Sequence, residues 1–211
     1  MFLIVFKCTF IGKLIIMRTI AAFLFFLSIN MFAQSSFIQK NDGSKIDIDA
    51  ASVRIITTEK ILVYKEYKKN SEKTISFNDF DFALYSGFKL KILKLKDTEK
   101  DGYFILSECK DKFLISRVIL TGDIESDNQQ ISFQLSVIDD KTTILETFLF
   151  NEEKNAKSIA LRNLILPTAT KYFPNCDDLL NRFADFNKRN DDIKNLSILG
   201  VFHSPVYYAC N

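Results

Sequence analysis

The strongest constraint on the fold is a two-residue alternation of apolar and polar side chains, which recurs through residues 35–150. Along residues 131–137, Ile, Phe, Leu and Val occupy the odd positions, whereas Ser and Gln occupy the even ones. Strands with one buried face have this period, because successive side chains point to opposite faces of a sheet. The pattern predicts eleven strands, at 37–40, 45–49, 52–57, 61–67, 74–77, 80–85, 88–95, 103–106, 112–120, 131–138 and 143–150.

Turn-forming clusters join two pairs of these strands into hairpins. Residues 41–44 read Asn-Asp-Gly-Ser, and residues 139–142 read Asp-Asp-Lys-Thr. Such residues tolerate the backbone conformations that tight turns need. Within residues 80–85, the alternation places Phe80, Phe82 and Leu84 together on the buried face of their strand.

The periodicity changes at Asn151, after which apolar residues recur at three- and four-residue intervals. This spacing predicts a helix that has Glu152 and Glu153 in its first turn, where the helix dipole favours acids, and that is ended or kinked by Pro167. A second helix begins near Asn175, a suitable N-cap, and buries a stripe of apolar residues, Leu179, Leu180, Phe183 and Phe186. The apolar tail at 196–208 contains a glycine and a proline, and we expect it to be irregular or strand-like.

Strands followed by helices are typical of the α+β class. We expect an antiparallel, β-rich body at residues 35–150, either a twisted sheet or a partly closed barrel, followed by two C-terminal helices within residues 151–211. About 177 residues are enough for one hydrophobic core, so residues 35–211 are expected to form a single domain.

Residues 1–34 have the composition of a secretory signal peptide. Arg18 precedes an apolar run at residues 20–32, and the small residue Ala33 follows it. The run is shorter than the roughly 20 residues that a spanning helix needs, so we expect a cleaved signal that starts at Met17 and no permanent membrane span after cleavage. The alternative is an uncleaved anchor at residues 1–33, but its three cations would each cost about 2.5–3.5 kcal/mol near the bilayer centre.

The charge balance gives no indication of a polyanionic partner. Residues 1–34 hold three of the 28 Lys and Arg and none of the 26 Asp and Glu, which leaves 25 cations against 26 acids. Nucleic acid binding is therefore not expected. The lysines at 89 and 91 alternate with Phe88, Leu90 and Ile92, a pattern that we interpret as the water-facing side of an exposed edge strand.

Residue types that carry catalysis or bind metals are sparse. His203 is the single histidine, and the chain lacks the motifs of a nucleophile elbow, a phosphate loop or a dinucleotide fold. We therefore expect no catalytic residue set, no cofactor and no transition-metal site. Residues 123–128 place oxygen ligands at alternate positions, but the glycine and glutamate of a calcium-binding EF-hand loop are missing, which favours a solvated acidic loop.

Cysteines give the sharpest structural prediction. Removal of the signal takes Cys8 away and leaves Cys109, Cys176 and Cys210 in an oxidising compartment. We predict a disulfide between Cys176 and Cys210, which would hold the C-terminal tail against the last helix, and a free thiol at Cys109. The rival is a bridge from Cys109 to either of the other two cysteines.

The sequence Phe32-Ala33-Gln34 resembles the signal endings of envelope proteins from Bacteroidetes-type bacteria. The rest of the chain resembles uncharacterised secreted proteins that combine a β-rich body with a C-terminal cysteine, without pointing to a named family. The resemblance implies an exported protein of the periplasm or the extracellular space. We expect a non-catalytic binding or structural module of the envelope with a macromolecular partner. The alternative is a secreted hydrolase whose carboxylate- or cysteine-based site forms only in the fold.

Overall fold

The computed structural model describes residues 35–96, 98–121, 130–151, 156–188 and 196–210. The strands within these ranges are β1 (Phe37–Lys40), β2 (Lys45–Asp47), β3 (Arg54–Ile56), β4 (Ile61–Lys65), β5 (Glu72–Ser76), β6 (Phe80–Tyr85), β7 (Phe88–Lys94), β8 (Lys100–Cys109), β9 (Lys112–Thr121), β10 (Gln130–Asp139), β11 (Ile144–Asn151) and β12 (Tyr208–Ala209). The helices are α1 (Ala156–Tyr172), α2 (Asp177–Lys188) and α3 (Leu196–His203). The signal sequence and the acidic segment at 123–128 lie outside the described residues.

Most of the strands form one antiparallel sheet, in the order β11-β10-β9-β8-β7-β6-β1-β2. The short strand β12 adds a parallel pairing to β8, and β3-β4-β5 form a separate three-stranded sheet. Over the described residues the large sheet is open, because β11 and β2 end the order without pairing to each other. The protein is therefore β-rich and α+β, as the sequence predicts, with a twisted open sheet rather than a closed barrel.

Both predicted hairpins are present. Residues 41–44 connect β1 to β2, with Gly43 at a φ of 84° and the Asp42 carboxylate accepting a hydrogen bond from the Ser44 amide. Residues 140–143 connect β10 to β11, with Thr142 at a φ of 62°. Each turn contains a residue in the left-handed region, which lets the strands reverse over a few residues.

The three-stranded sheet packs against one end of the large sheet. The cluster between them contains the buried side chains Ile38, Leu62, Tyr64, Ile75, Phe77, Phe80, Ala83 and Leu90. Gly102 of β8 faces this cluster closely, since a Cβ there would lie 3.2 Å from the Phe77 ring and from Leu90. A side chain at this position would require the Phe77 ring and Leu90 to shift by a few tenths of an ångström.

The helices pack against the other end of the large sheet, on the same face. A row of directly opposed residues runs across the sheet from Leu90 of β7 through Phe104 of β8 and Ser116 of β9 to Leu135 of β10. Leu90 belongs to the cluster under the small sheet, and Leu135 belongs to the cluster under the helices, which we call the helix-side cluster. Direct cross-strand partners share a face, so both layers cover one side of the sheet. The helix-side cluster is made of buried residues that include Leu114, Phe133, Leu135, Phe148, Ile165, Phe173, Leu179 and Phe183.

The opposite face of the large sheet is concave. The Thr142 hydroxyl, in the turn that follows β10, donates a 2.9 Å hydrogen bond to the carbonyl of Lys94, the last residue of β7. In the order of the sheet, β8 and β9 lie between β7 and β10. In a flat sheet, β7 and β10 would be roughly 14 Å apart, at about 4.8 Å per strand. The sheet therefore curls toward this side, where a third cluster draws its members from the sheet and from Tyr207.

Of the two effects expected of Pro167, an end or a kink, the end is not present, because the first helix continues to Tyr172 with the proline inside it. Two other local expectations are wrong. The tail forms helix α3 before it turns into β12, so its first part is neither irregular nor extended. The lysine-rich β7 lies between β6 and β8 and is not an edge strand. None of the described helices combines the length and the apolar character that a bilayer crossing needs.

Candidate functional site

Cys176 and Cys210 lie at disulfide distance, with their Cα atoms 4.6 Å apart and a separation of 34 in sequence. Cys176 immediately precedes α2 and is buried, and Cys210 immediately follows β12. This is the pairing that the sequence predicts. Cys109 is free and half-buried, and it packs against the same helix-side cluster, so the rival pairing through Cys109 is not the arrangement in the structure.

Ser107 stands beside the two sulfurs. Its hydroxyl is fully buried, donates to the Tyr208 carbonyl at 2.7 Å, and lies 3.0 Å from Sγ of Cys176 and 2.8 Å from Sγ of Cys210. The pairing of β8 with β9 shifts register between Ile105 and Ser107, and this bulge directs Ser107 toward the helices. The sheet therefore supplies a polar contact at the junction of the tail and α2.

Arg182 of α2 holds the tail from the helix side. Its guanidinium donates to the carbonyl oxygens of Gly200 at 3.1 Å and Ser204 at 2.8 Å, and to the Tyr208 hydroxyl at 3.1 Å. On the strand side, the Tyr207 amide donates to the Gly87 carbonyl at 2.9 Å. The tail is thus fixed by backbone pairing, by Arg182 and by the cysteine pair, which indicates a structural role for this junction.

The concave face carries charged side chains that are matched with opposite charges. Lys89 forms an ion pair with Glu108, Lys91 lies 3.7 Å from a carboxylate oxygen of Asp81, and Arg117 lies 3.0 Å from one of Asp101. Neighbouring strands contribute the two members of each pair. The face therefore contains alternating charges without a large excess of one sign.

The same cations lie over aromatic rings. Lys89 Nζ is 5.1 Å from the Phe82 ring centre and 5.0 Å from that of Tyr207. Lys91 lies 5.8 Å from Phe113. Arg117 is 5.2 Å from the ring of Tyr103 and donates to its hydroxyl at 3.0 Å. Tyr103 is buried, whereas Phe82, Phe113 and Tyr207 are half-buried, so the cations of this face are held against rings of the same face.

A separate depression of about 660 Å³ opens between the two sheets, where the turn at 41–44 meets β4 and β5. Tyr64 lines it, and burial raises the pKa of its hydroxyl. Asp42, on its rim, accepts hydrogen bonds from Ser44 and Lys40, which lower the pKa of its carboxyl to about 2. A carboxyl that stays ionised at neutral pH is unsuited to the role of general acid.

The structure separates the residues that the sequence singles out for chemistry. His203 lies exposed in the last turn of α3, with its ring 6.2 Å from that of Phe133. Tyr85 and Tyr103 are buried, whereas Tyr67 is 61% exposed. Over the described ranges, no group of three or more His, Cys, Asp and Glu side chains is placed to hold a metal ion.

The described residues thus define an α+β protein built on an open, curled antiparallel sheet, with a small sheet and three helices on its convex side. No protein-family model, curated protein or solved structure matches this chain.

Proposed function

We propose that this chain is an exported module of the bacterial envelope, periplasmic or extracellular, which binds a macromolecular partner and does not catalyse a reaction. The main support for export is the pair of cysteines, Cys176 and Cys210, which lie at disulfide distance. Structural disulfides persist in oxidising compartments and are rare in the cytosol. The signal-like composition of residues 1–34 supports the same location.

The concave face of the large sheet supports the binding half of the proposal. Aromatic residues and arginine are enriched in protein interfaces, and matched charges select a partner without attracting polyanions in general. On this face, Lys89 lies over the rings of Phe82 and Tyr207, and Lys91 lies over the ring of Phe113. The charges of Lys89, Lys91 and Arg117 are offset by nearby carboxylates, those of Glu108, Asp81 and Asp101 respectively. This arrangement favours a protein or a glycan over a nucleic acid, whose phosphates need unpaired cations.

No contact among the described residues favours the hydrolase alternative. A general acid needs a carboxyl with a raised pKa, whereas hydrogen bonds from neighbouring side chains lower the pKa of Asp42, Glu66, Glu99 and Asp111. Each of these carboxylates forms an ion pair with a lysine; Asp42, Glu99 and Asp111 are exposed, and Glu66 is half-buried. We therefore propose binding as the function of the protein.

Processing gives the first test. We expect the protein recovered from the envelope of a native-type host to have an intact mass that begins at Gln34 or Ser35. Because a charge in the apolar run should block signal recognition, the Leu24→Arg variant should remain in the cytoplasm with its leader attached. An envelope protein whose mass still includes residues 20–32 would contradict the proposal and favour the anchor.

Site-specific photo-crosslinking tests the binding surface. With a photoreactive residue in place of Phe82 on the concave face, we expect a discrete adduct between the chain and one partner in intact cells. The matched control is the same residue in place of Leu164, which is 53% exposed on α1, on the other side of the sheet. Equal adducts from both positions, or none from position 82, would remove the concave face as the binding surface.

Elemental analysis tests the metal content. We expect less than about 0.1 equivalents of zinc, copper or iron per purified chain, because one exposed histidine and a paired set of cysteines offer too few ligands. The His203→Gln variant is the matched sample. One equivalent of metal in the wild-type protein that disappears in the variant would show a metal site that includes His203.

A further inference from the structure

The outer edge of the large sheet at β11 has the features of a pairing surface. We propose that β11 pairs antiparallel with β11 of a second copy of this chain, with the two-fold axis at Thr147. This inference is independent of the proposed function and concerns a different part of the molecule. It follows from the exposure of the strand, from the contrast with the other sheet edges and from the order of its side chains.

Strand β11 ends the order of the large sheet, so the backbone groups that point away from β10 have no strand partner among the described residues. It is eight residues long, and Ile144, Leu145 and Leu149 are 40%, 36% and 54% exposed. Its one charged side chain, Glu146, is directed to α1, where it accepts hydrogen bonds from Lys171 and Tyr172 at 3.4 Å. The edge is therefore long, apolar and without a charge that faces a partner.

The other sheet edges are protected. Strands β2 and β3 have three residues each, and they carry the exposed charged residues Lys45, Asp47 and Arg54. Strand β5 exposes Glu72 and Lys73. Short length and charged side chains are the usual means by which proteins prevent edge-to-edge pairing. Strand β11 is longer than these strands, and its one charged side chain, Glu146, pairs with Lys171 of α1, which distinguishes this edge from the other described edges.

The side-chain order of β11 fits a copy of itself. Thr147 and Leu149 pair with Ser136 and Gln134 of β10, and Leu145 is the extra residue of a bulge between Ile144 and Glu146. An axis at Thr147 would place each Leu145 opposite Leu149 of the other copy and Thr147 opposite Thr147. A register shifted by one pair would instead place leucine opposite threonine. Apolar cross-strand pairs stabilise a sheet, so the symmetric register is favoured.

The expected association is weak. Eight residues at a rise of about 3.4 Å extend over roughly 27 Å, and one strand pair of this length presents less than the roughly 800 Å² per partner of a standard interface. We therefore expect a dissociation constant of micromolar order, and a dimer that forms at high local concentration.

Sedimentation velocity of the exported, purified protein from about 1 to 300 μM tests the dimer. We expect a concentration-dependent shift from monomer to dimer, and at least a tenfold weaker association for Leu149→Lys, since lysine on an edge opposes pairing. The control, Tyr67→Lys, removes another exposed apolar side chain away from this edge and should leave the association unchanged. A wild-type protein that stays monomeric over this range would overturn the proposal.

Cysteine crosslinking tests the register in a Cys109→Ser background. Thr147→Cys should form an intermolecular disulfide under mild oxidation, because directly opposed residues have Cα atoms about 4.5–5.5 Å apart. Leu149→Cys alone should not, since it faces Leu145, whereas a mixture of Leu149→Cys and Leu145→Cys chains should crosslink. Efficient crosslinking of Leu149→Cys alone, or none of Thr147→Cys, would exclude the symmetric register.

Discussion

Replacing Cys176 and Cys210 together by alanine is expected to lower the free energy of unfolding by about 4 kcal/mol. A bridge between them closes 34 residues of chain, and this constraint reduces the entropy of the unfolded state. The native contacts of the junction add to the loss, because Cys176 is buried and Ser107 lies against both sulfurs. The tail from Val206 to Cys210 would then be held by backbone pairing with β8 and Gly87 and by hydrogen bonds from Ser107 and Arg182.

Urea unfolding, followed by circular dichroism, measures this effect. The matched control is Cys109→Ala, which removes the free cysteine from the same cluster and should cost far less than the double replacement. Peptide mapping without reduction should link the Cys176 and Cys210 peptides. A double variant as stable as the control, or a map that links Cys109, would show that the pair does not stabilise the native protein.

Replacing Phe173 by alanine is expected to cost about 3–5 kcal/mol. Phe173 follows α1, is fully buried, and packs within the cluster that joins the helices to Phe148 and Phe150 of β11. Its removal leaves a cavity between the helix layer and the sheet, which the surrounding residues fill only in part.

The matched control is Leu164→Ala in α1. Leu164 is 53% exposed, so its truncation should change the free energy of unfolding by less than about 1 kcal/mol. Both variants can be compared by the urea midpoint and by hydrogen exchange of the β10 and β11 amides, which should accelerate in Phe173→Ala only. Equal losses in the two variants would contradict the packing described for α1.

Much of the strand content was predictable because the turns are local. The Asn-Asp-Gly-Ser cluster encodes its own reversal, so β1 and β2 follow from a few residues. Side-chain burial was less predictable. The alternation predicts that Ser136 faces water, but the curl of the sheet buries it fully. It also predicts that Phe80 shares a buried face with Phe82, whereas Phe80 is buried and Phe82 is half-buried. The pairing of β1 with β6 shifts register beside Phe80, and such a shift depends on distant partners.

The C-terminal region shows how packing overrides local propensity. Pro167 lacks the amide that a helix interior requires, yet α1 continues past it, because Ile165, Ala169 and the adjacent Phe173 are all buried in the helix-side cluster. The cysteine pairing could be predicted from compartment and position. The ion pairs of the concave face could not, because each joins neighbouring strands whose register the sequence does not specify.

The bulge in β8 has a consequence for oxidative folding. Cys109 lies two residues beyond Ser107 on the same strand, so it shares the helix-side face and the cluster that receives Cys176 and Cys210. Before β12 docks, three thiols therefore compete for one bond, and thiol–disulfide exchange can form either bridge to Cys109 first. Docking of Tyr208 against Ser107 places Cys210 beside Cys176 and removes this competition. The native bond is thus selected by strand register.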